Sequence, residues 1–198
     1  MQNWYLWAII IILIPITAFV CYKAAVATKD AKREREKMIN SLNRSRELKN
    51  EFEGIGEQGI LDSDNARLLE GMALLTDLKL RKEIRPNEAF AGLPEERKIA
   101  YVLNCILEDC DGTVSSFFKR NTPPVSSLAS VALSAAGMNE LSGLFESVFP
   151  MFDEDDEEFS LDEEKIKAAD KQFGRLFNKD DFILLAGQYI KNNARAFI

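Results

Sequence analysis

Glu95-Glu96-Arg97-Lys98-Ile99-Ala100-Tyr101-Val102-Leu103-Asn104-Cys105-Ile106-Leu107-Glu108-Asp109, residues 95–109, sets the fold class. Ile99, Val102, Leu103, Ile106 and Leu107 recur at three- and four-residue spacing, which gathers them on one face of a helix. Pro94 stands at the entrance, where its missing N–H costs nothing, and Glu95 and Glu96 favour the positive end of the helix dipole. The same period recurs on both sides of this stretch. Asp62-Ser63-Asp64 supplies N-cap chemistry for a helix through Leu68, Leu69, Met72, Leu75 and Leu78, ended by Arg85-Pro86-Asn87.

Downstream, Gly112 breaks the central helix, and Val114, Phe117 and Phe118 seed a short one that ends near Asn121. Ser126 to Ala136 is a small-residue helix, and Asn139 caps a helix carrying Leu141, Leu144, Phe145 and Val148. Asp162 caps one with Ile166, Ala169, Phe173, Leu176 and Phe177. The last helix carries Phe182, Leu185, Ala186, Tyr189 and Ile190. No stretch alternates with period two, so the expectation is an all-α fold.

Charge divides the chain into zones. Residues 1–22 carry no charged side chain; residues 23–50 hold nine Lys/Arg and four Asp/Glu; residues 51–198 hold sixteen basic and twenty-eight acidic residues. Trp4 to Tyr22 is nineteen uncharged residues, about 28 Å as a helix, close to a bilayer's hydrocarbon thickness. Trp4, Tyr5 and Trp7 crowd one end and Tyr22 marks the other. A cleaved signal peptide wants a basic leading segment, which Met1-Gln2-Asn3 lacks, and lipid attachment at Cys21 wants smaller residues than Phe19-Val20 before it. The expected organisation is a transmembrane anchor at 1–22, a basic juxtamembrane helix or stalk at 23–53, a flexible joint at 54–61 and an acidic helical domain at 62–198.

Lys23, Lys29, Lys32, Arg33, Arg35 and Lys37 follow the apolar segment closely. By the positive-inside rule they place the C-terminal domain in the cytoplasm, on a single-pass protein of the inner membrane, and they face anionic headgroups. Met38, Leu42, Ser45, Lys49 and Phe52 form a faint heptad, which admits a homodimer, although a solvated stalk fits the Ser and Lys better.

Several chemistries are excluded or disfavoured. The chain has no histidine, which removes Ser-His and Cys-His dyads and His-ligated zinc. Cys105 and Cys110, five residues apart on a helix, stand roughly 7.5 Å apart on different faces and read as free thiols. Asp153, Glu154, Asp155, Asp156, Glu157 and Glu158 form the sharpest local feature. Counted as a calcium loop from Asp153, the run puts Glu158 where the turn demands glycine. Asp109, Asp111 and Gly112 are too closely spaced for a metal set, and a helix C-cap explains them better. No cofactor is expected. The acidic run reads either as a solvated loop or as a row of carboxylates imitating nucleic-acid phosphates, which would bind a basic protein and not nucleic acid itself.

Cys110-Asp111-Gly112-Thr113-Val114-Ser115-Ser116-Phe117-Phe118, with Asn121, precedes the small-residue stretch Ala129 to Met138. Ala169-Asp170-Lys171-Gln172-Phe173 and Tyr189-Ile190-Lys191-Asn192-Asn193-Ala194-Arg195-Ala196-Phe197 close the chain. On these blocks residues 99–198 resemble the DNA-mimic-protein-like domain, a bacterial all-helical family largely of unknown function. The family's block runs Asn-Gly-Gly-Phe, then Gln-Phe-Phe and an Asn; here Asp111, Thr113, Val114 and Ser116 depart from it, and Asn121 is shifted by one. The resemblance implies structural roles for Asp111, Gly112, Phe117, Phe118, Tyr189 and Asn192, and an acidic surface that captures a basic nucleic-acid-binding protein. Function is thus expected to be that of a membrane-tethered, non-enzymatic protein-interaction module. A structural scaffold, or less readily an enzyme using carboxylates alone, is the alternative.

Overall fold

The computed structural model describes residues 23, 29, 32–152 and 162–198, in two units, Met1–Glu47 and Leu48–Ile198. The apolar segment 4–22 and the acidic run Asp153 to Glu158 lie outside the described residues. Among the described residues there is no strand, and no helix is long and apolar enough to cross a membrane.

In the first unit residues 32–47 are helical and, apart from half-buried Ser45, exposed. Lys37 Nζ donates to Glu34 Oε1 at 3.2 Å and Lys32 lies 4.0 Å from Glu36, the near-neighbour pairing that supports a solvated helix. Lys23, Lys29, Lys32, Arg33, Arg35 and Lys37 are all exposed. Met38, Ile39 and Leu42 are exposed as well.

The second unit opens with helical residues 48–52, α1. It continues through α2 (Glu57–Asp62), α3 (Asn65–Leu80), α4 (Pro86–Ala91), α5 (Glu95–Asp109), α6 (Val114–Arg120), α7 (Ala129–Ala135), α8 (Asn139–Val148), α9 (Glu163–Leu176) and α10 (Lys179–Asn192). Short 3-10 turns fill Ser126–Leu128, Phe149–Met151 and Ala194–Phe197. The central helix is α5, touched by α3, α6, α7 and α10, while α8 packs on α7 and α9. Ile99, Val102, Leu103 and Ile106 are buried as their spacing requires. At the C-terminal end Arg97 of α5 donates from Nε to the Ala196 carbonyl at 2.9 Å, and Phe197 is buried.

Several sequence expectations are corrected. The compact unit begins at Leu48, not after residue 61, because Leu48 and Phe52 are each 1% exposed in its core. Along the faint heptad Met38, Leu42 and Lys49 are exposed, with Lys49 bridged to Glu53 at 3.4 Å, whereas Phe52 is buried in the core. The flexible joint at 54–61 contains helix α2, whose Ile60 is fully buried. Finally, Pro86 does not end a helix. It starts α4 at its first position, and α3 has already stopped at Leu80.

Caps follow local chemistry. Asp64 accepts from the N–H groups of Ala66 and Arg67, and Asp162 from those of Glu164 and Lys165, all at 3.1 Å. Asn139 is inside α8, not its cap. Helix α7 ends in a Schellman turn: Met138 N–H reaches the Leu133 carbonyl at 2.8 Å and Gly137, at φ +83°, donates to Ser134 at 2.9 Å.

Candidate binding cleft and the turn that supports it

The family-like block forms a tightly specified turn between α5 and α6. Asp111 (φ +43°) and Gly112 (φ +81°) both take the left-handed conformation, which reverses the chain after Asp109. Thr113 then caps α6, its Oγ1 accepting from Ser116 N–H at 3.3 Å. Asp109 does not collect metal ligands: it accepts from Asn121 Nδ2 at 2.9 Å and lies 3.8 Å from Arg120, which is also 3.6 Å from Asp111. No cluster of metal-ligating side chains occurs among the described residues.

Asp170, on α9, fastens this turn to the rest of the domain. It accepts from Ser115 N–H at 2.9 Å and from the Ser115 hydroxyl at 2.8 Å. The carboxylate thereby meets the amino end of α6, where negative charge is favourable. Ser115 is 4% exposed and Asp170 half-buried, so the Ser–Asp pair is a structural staple at the edge of the core. Phe117 and Phe118 begin a chain of aromatic rings. Phe117 lies 5.4 Å from Phe145, Phe145 6.2 Å from Phe173, Phe173 4.8 Å from Phe177, and Phe177 5.5 Å from Phe182. At the other end Phe118 stacks on Phe152 at 5.4 Å, which fixes the point where the chain departs into the acidic run. Asp162, the cap of α9, fixes the point where the described chain resumes.

Tyr189 is half-buried on α10, and burial followed by the nearby Glu96 and Glu95 pushes its hydroxyl up to about 12. Asn192 is exposed; its neighbour Asn193 donates to the Tyr189 carbonyl at 2.9 Å instead. Both thiols are free, with Cys105 half-buried and Cys110 buried. Burial, then the Asp109 and Glu108 carboxylates, pushes Cys105 up to about 12, and burial raises Cys110 too.

The aromatic chain ends at a cleft of about 220 Å³. The α7–α8 turn contributes Gly137 through Leu141, and α9 and α10 contribute Leu176, Asn178, Asp181, Phe182 and Leu185. Met138, Leu141 and Phe182 are buried, whereas Asn139, Glu140 and Asp181 are exposed. The cleft thus has an apolar floor and a polar mouth. Glu140 and Asp181 stand in the first turns of α8 and α10 and make no ion pair among the described residues. Each helix start carries about half a positive charge, so two carboxylates over two helix starts leave roughly one net negative charge. An apolar floor beneath a negative mouth matches a side chain with an aliphatic stem and a cationic head, a lysine or an arginine. Sequence reading missed this site, because Glu140 and Asp181 look like ordinary helix-start acids. Only the fold brings residues 137–141 to residues 176–185.

No protein-family model, curated protein or solved structure matches this chain.

Proposed function

We propose that the chain is a membrane-tethered binding module whose acidic helical domain captures a basic segment of another protein. The observation that carries this reading is the cleft between α8 and α10, an apolar floor with Glu140 and Asp181 at its mouth. It belongs to a region, residues 51–198, with twenty-eight acidic and sixteen basic residues. A partner with several lysines or arginines gains from that field at long range and from the cleft at contact. The acidic run Asp153 to Glu158 is a second source of the same field. The resemblance of residues 99–198 to DNA-mimic-like domains supports a nucleic-acid-binding protein as the partner. The apolar segment 4–22 supplies the tether, and the cations at 23–37 supply the orientation, with the domain on the cytoplasmic side.

Calorimetry of the full chain with a synthetic lysine- and arginine-rich peptide tests the cleft. Glu140→Gln with Asp181→Asn should weaken binding about five- to tenfold, a coupling of the size expected for two charge pairs partly exposed to solvent. Unchanged affinity in that variant would remove the cleft from the binding surface. If the peptide is held as phosphate would hold it, duplex DNA carrying the same peptide should release it on adding the chain. Protease added to intact spheroplasts should spare the domain until permeabilisation; immediate digestion would reverse the assigned orientation.

A further inference from the structure

The turn between α3 and α4 combines an unprotected apolar side chain with a set of cations. Ile84 is 98% exposed, far more than the other exposed large apolar residues described. Lys79, Arg81, Lys82 and Arg85 surround it in sequence. Lys79 and Lys82 also line, with Lys49 of α1, a cleft of about 350 Å³ floored by Leu75 and Leu78. Glu53 and Glu83 share that cleft. A single exposed isoleucine needs no explanation on an ordinary surface. One at the tip of a cationic turn, in a chain that also carries a nineteen-residue apolar segment, has a specific partner chemistry.

We propose that this turn is a membrane-contact site, with Ile84 entering the boundary between headgroups and acyl chains of an anionic bilayer. Lys79, Lys82 and Lys49 then lie among the lipid phosphates. The charge count supports an anionic surface. Lys49 is bridged to Glu53 at 3.4 Å, Arg81 to Asp77 at 2.6 Å and Arg85 to Glu88 at 3.1 Å, while Lys79 and Lys82 make no ion pair among the described residues. Against Glu83 that leaves a positive locality within an acidic domain. Exposed pairs of this kind are weak and reopen readily beside competing phosphates. The acidic remainder of the domain is repelled by the same surface, which favours this turn toward the bilayer. Such a contact is too weak to recruit the chain by itself. It rests on the reading of residues 4–22 as a tether, which supplies the effective concentration.

The test uses the full chain carrying Cys21→Ser and Ile84→Cys, labelled at position 84 with an environment-sensitive fluorophore. Cys105 and Cys110 are half-buried and buried, and the unlabelled-site control is the same chain with Ile84 intact. The protein is reconstituted into vesicles of phosphatidylcholine alone or with phosphatidylglycerol, each with brominated acyl chains as the quencher. Quenching about threefold stronger in the anionic vesicles, and reduced to the neutral level by Lys79→Glu with Lys82→Glu, is the expected result. A chain that floats with both vesicles while the label stays unquenched overturns the turn's role and leaves the tether standing. Flotation only with anionic vesicles removes the tether and overturns a contact that acts only beside it, even if the label is quenched. Failure to float with either overturns both. A blue shift that tracks protein concentration instead of lipid assigns Ile84 to a second copy and overturns the proposal.

Discussion

The two ends of the helical domain are built on different principles. Around α6, α8 and α9 the aromatic side chains are committed: Phe117, Phe145 and Phe173 are fully buried and in ring contact, and Asp170 holds the adjoining turn by two hydrogen bonds. Around the α3–α4 turn side chains are committed only to near neighbours, through exposed ion pairs three or four residues apart, and Ile84 touches solvent. Stability is therefore concentrated at the first end, and the second is left with surface to offer. Both ends carry several charged residues. Distance in sequence between contacting partners separates them more clearly than composition does.

That contrast can be broken from the stable end first. Phe145→Ala removes a ring in contact with Phe117, Phe118 and Phe173 and should cost about 3–5 kcal/mol in denaturant unfolding. Ile84→Ala should change stability by less than about 0.5 kcal/mol. Gly187→Ala comes next. A Cβ there would lie 2.4 Å from Asn65 Cβ, so α10 and α3 must separate, at a cost of about 1–3 kcal/mol. Asp170→Ala leaves the Ser115 N–H and hydroxyl without their partner inside the fold, and about 1–3 kcal/mol should be lost.

The smallest effects sharpen the comparison through pH. Tyr189 rises from 10.0 to about 12 and Cys105 from 9.0 to about 12, so the fold binds these protons more tightly than the unfolded chain. Their contribution is complete below pH 9 and is lost as pH rises from 9 to 12, which a melting series should show as falling stability across that window. Asp162 has the opposite sign. Hydrogen bonds from the Lys165 backbone, then its side-chain bond, lower this carboxyl below 3.8, so its small contribution is present above that pH and fades as acid protonates the cap. Asp162→Asn should flatten that acid limb and leave the alkaline one intact.

What could be read from sequence was what depends on near neighbours. Asp64 and Asp162 were legible as caps because a cap is a side chain bonding to the backbone two or three residues ahead. The buried face of α5 was legible because helical spacing alone defines it. Pro86 was read as a stop because proline ends one helix and begins another with the same φ, and only the residues downstream of it decide between the two. The core residue Leu48 was hidden in a charged stretch, since its burial depends on the fold and not on its neighbours. The close approaches at Gly71, where a Cβ would lie 2.2 Å from Phe52, and at Gly187 leave no local signal. The cleft was illegible for the same reason: its two acids lie on helices far apart in sequence.

The clasp between Arg97 and the Ala196 carbonyl has a consequence for the order of events in synthesis. The central helix is complete at Asp109, yet two of the elements packed on it, α10 and the turn that ends in Phe197, are made last. At ordinary translation rates of about 5–20 residues per second, roughly 4–18 s pass between those two points. Through that interval the buried face of α5 has no final lid. The apolar segment 4–22, made long before, is already free to be recognised. Any factor that handles the nascent chain therefore meets this segment before it meets a finished fold.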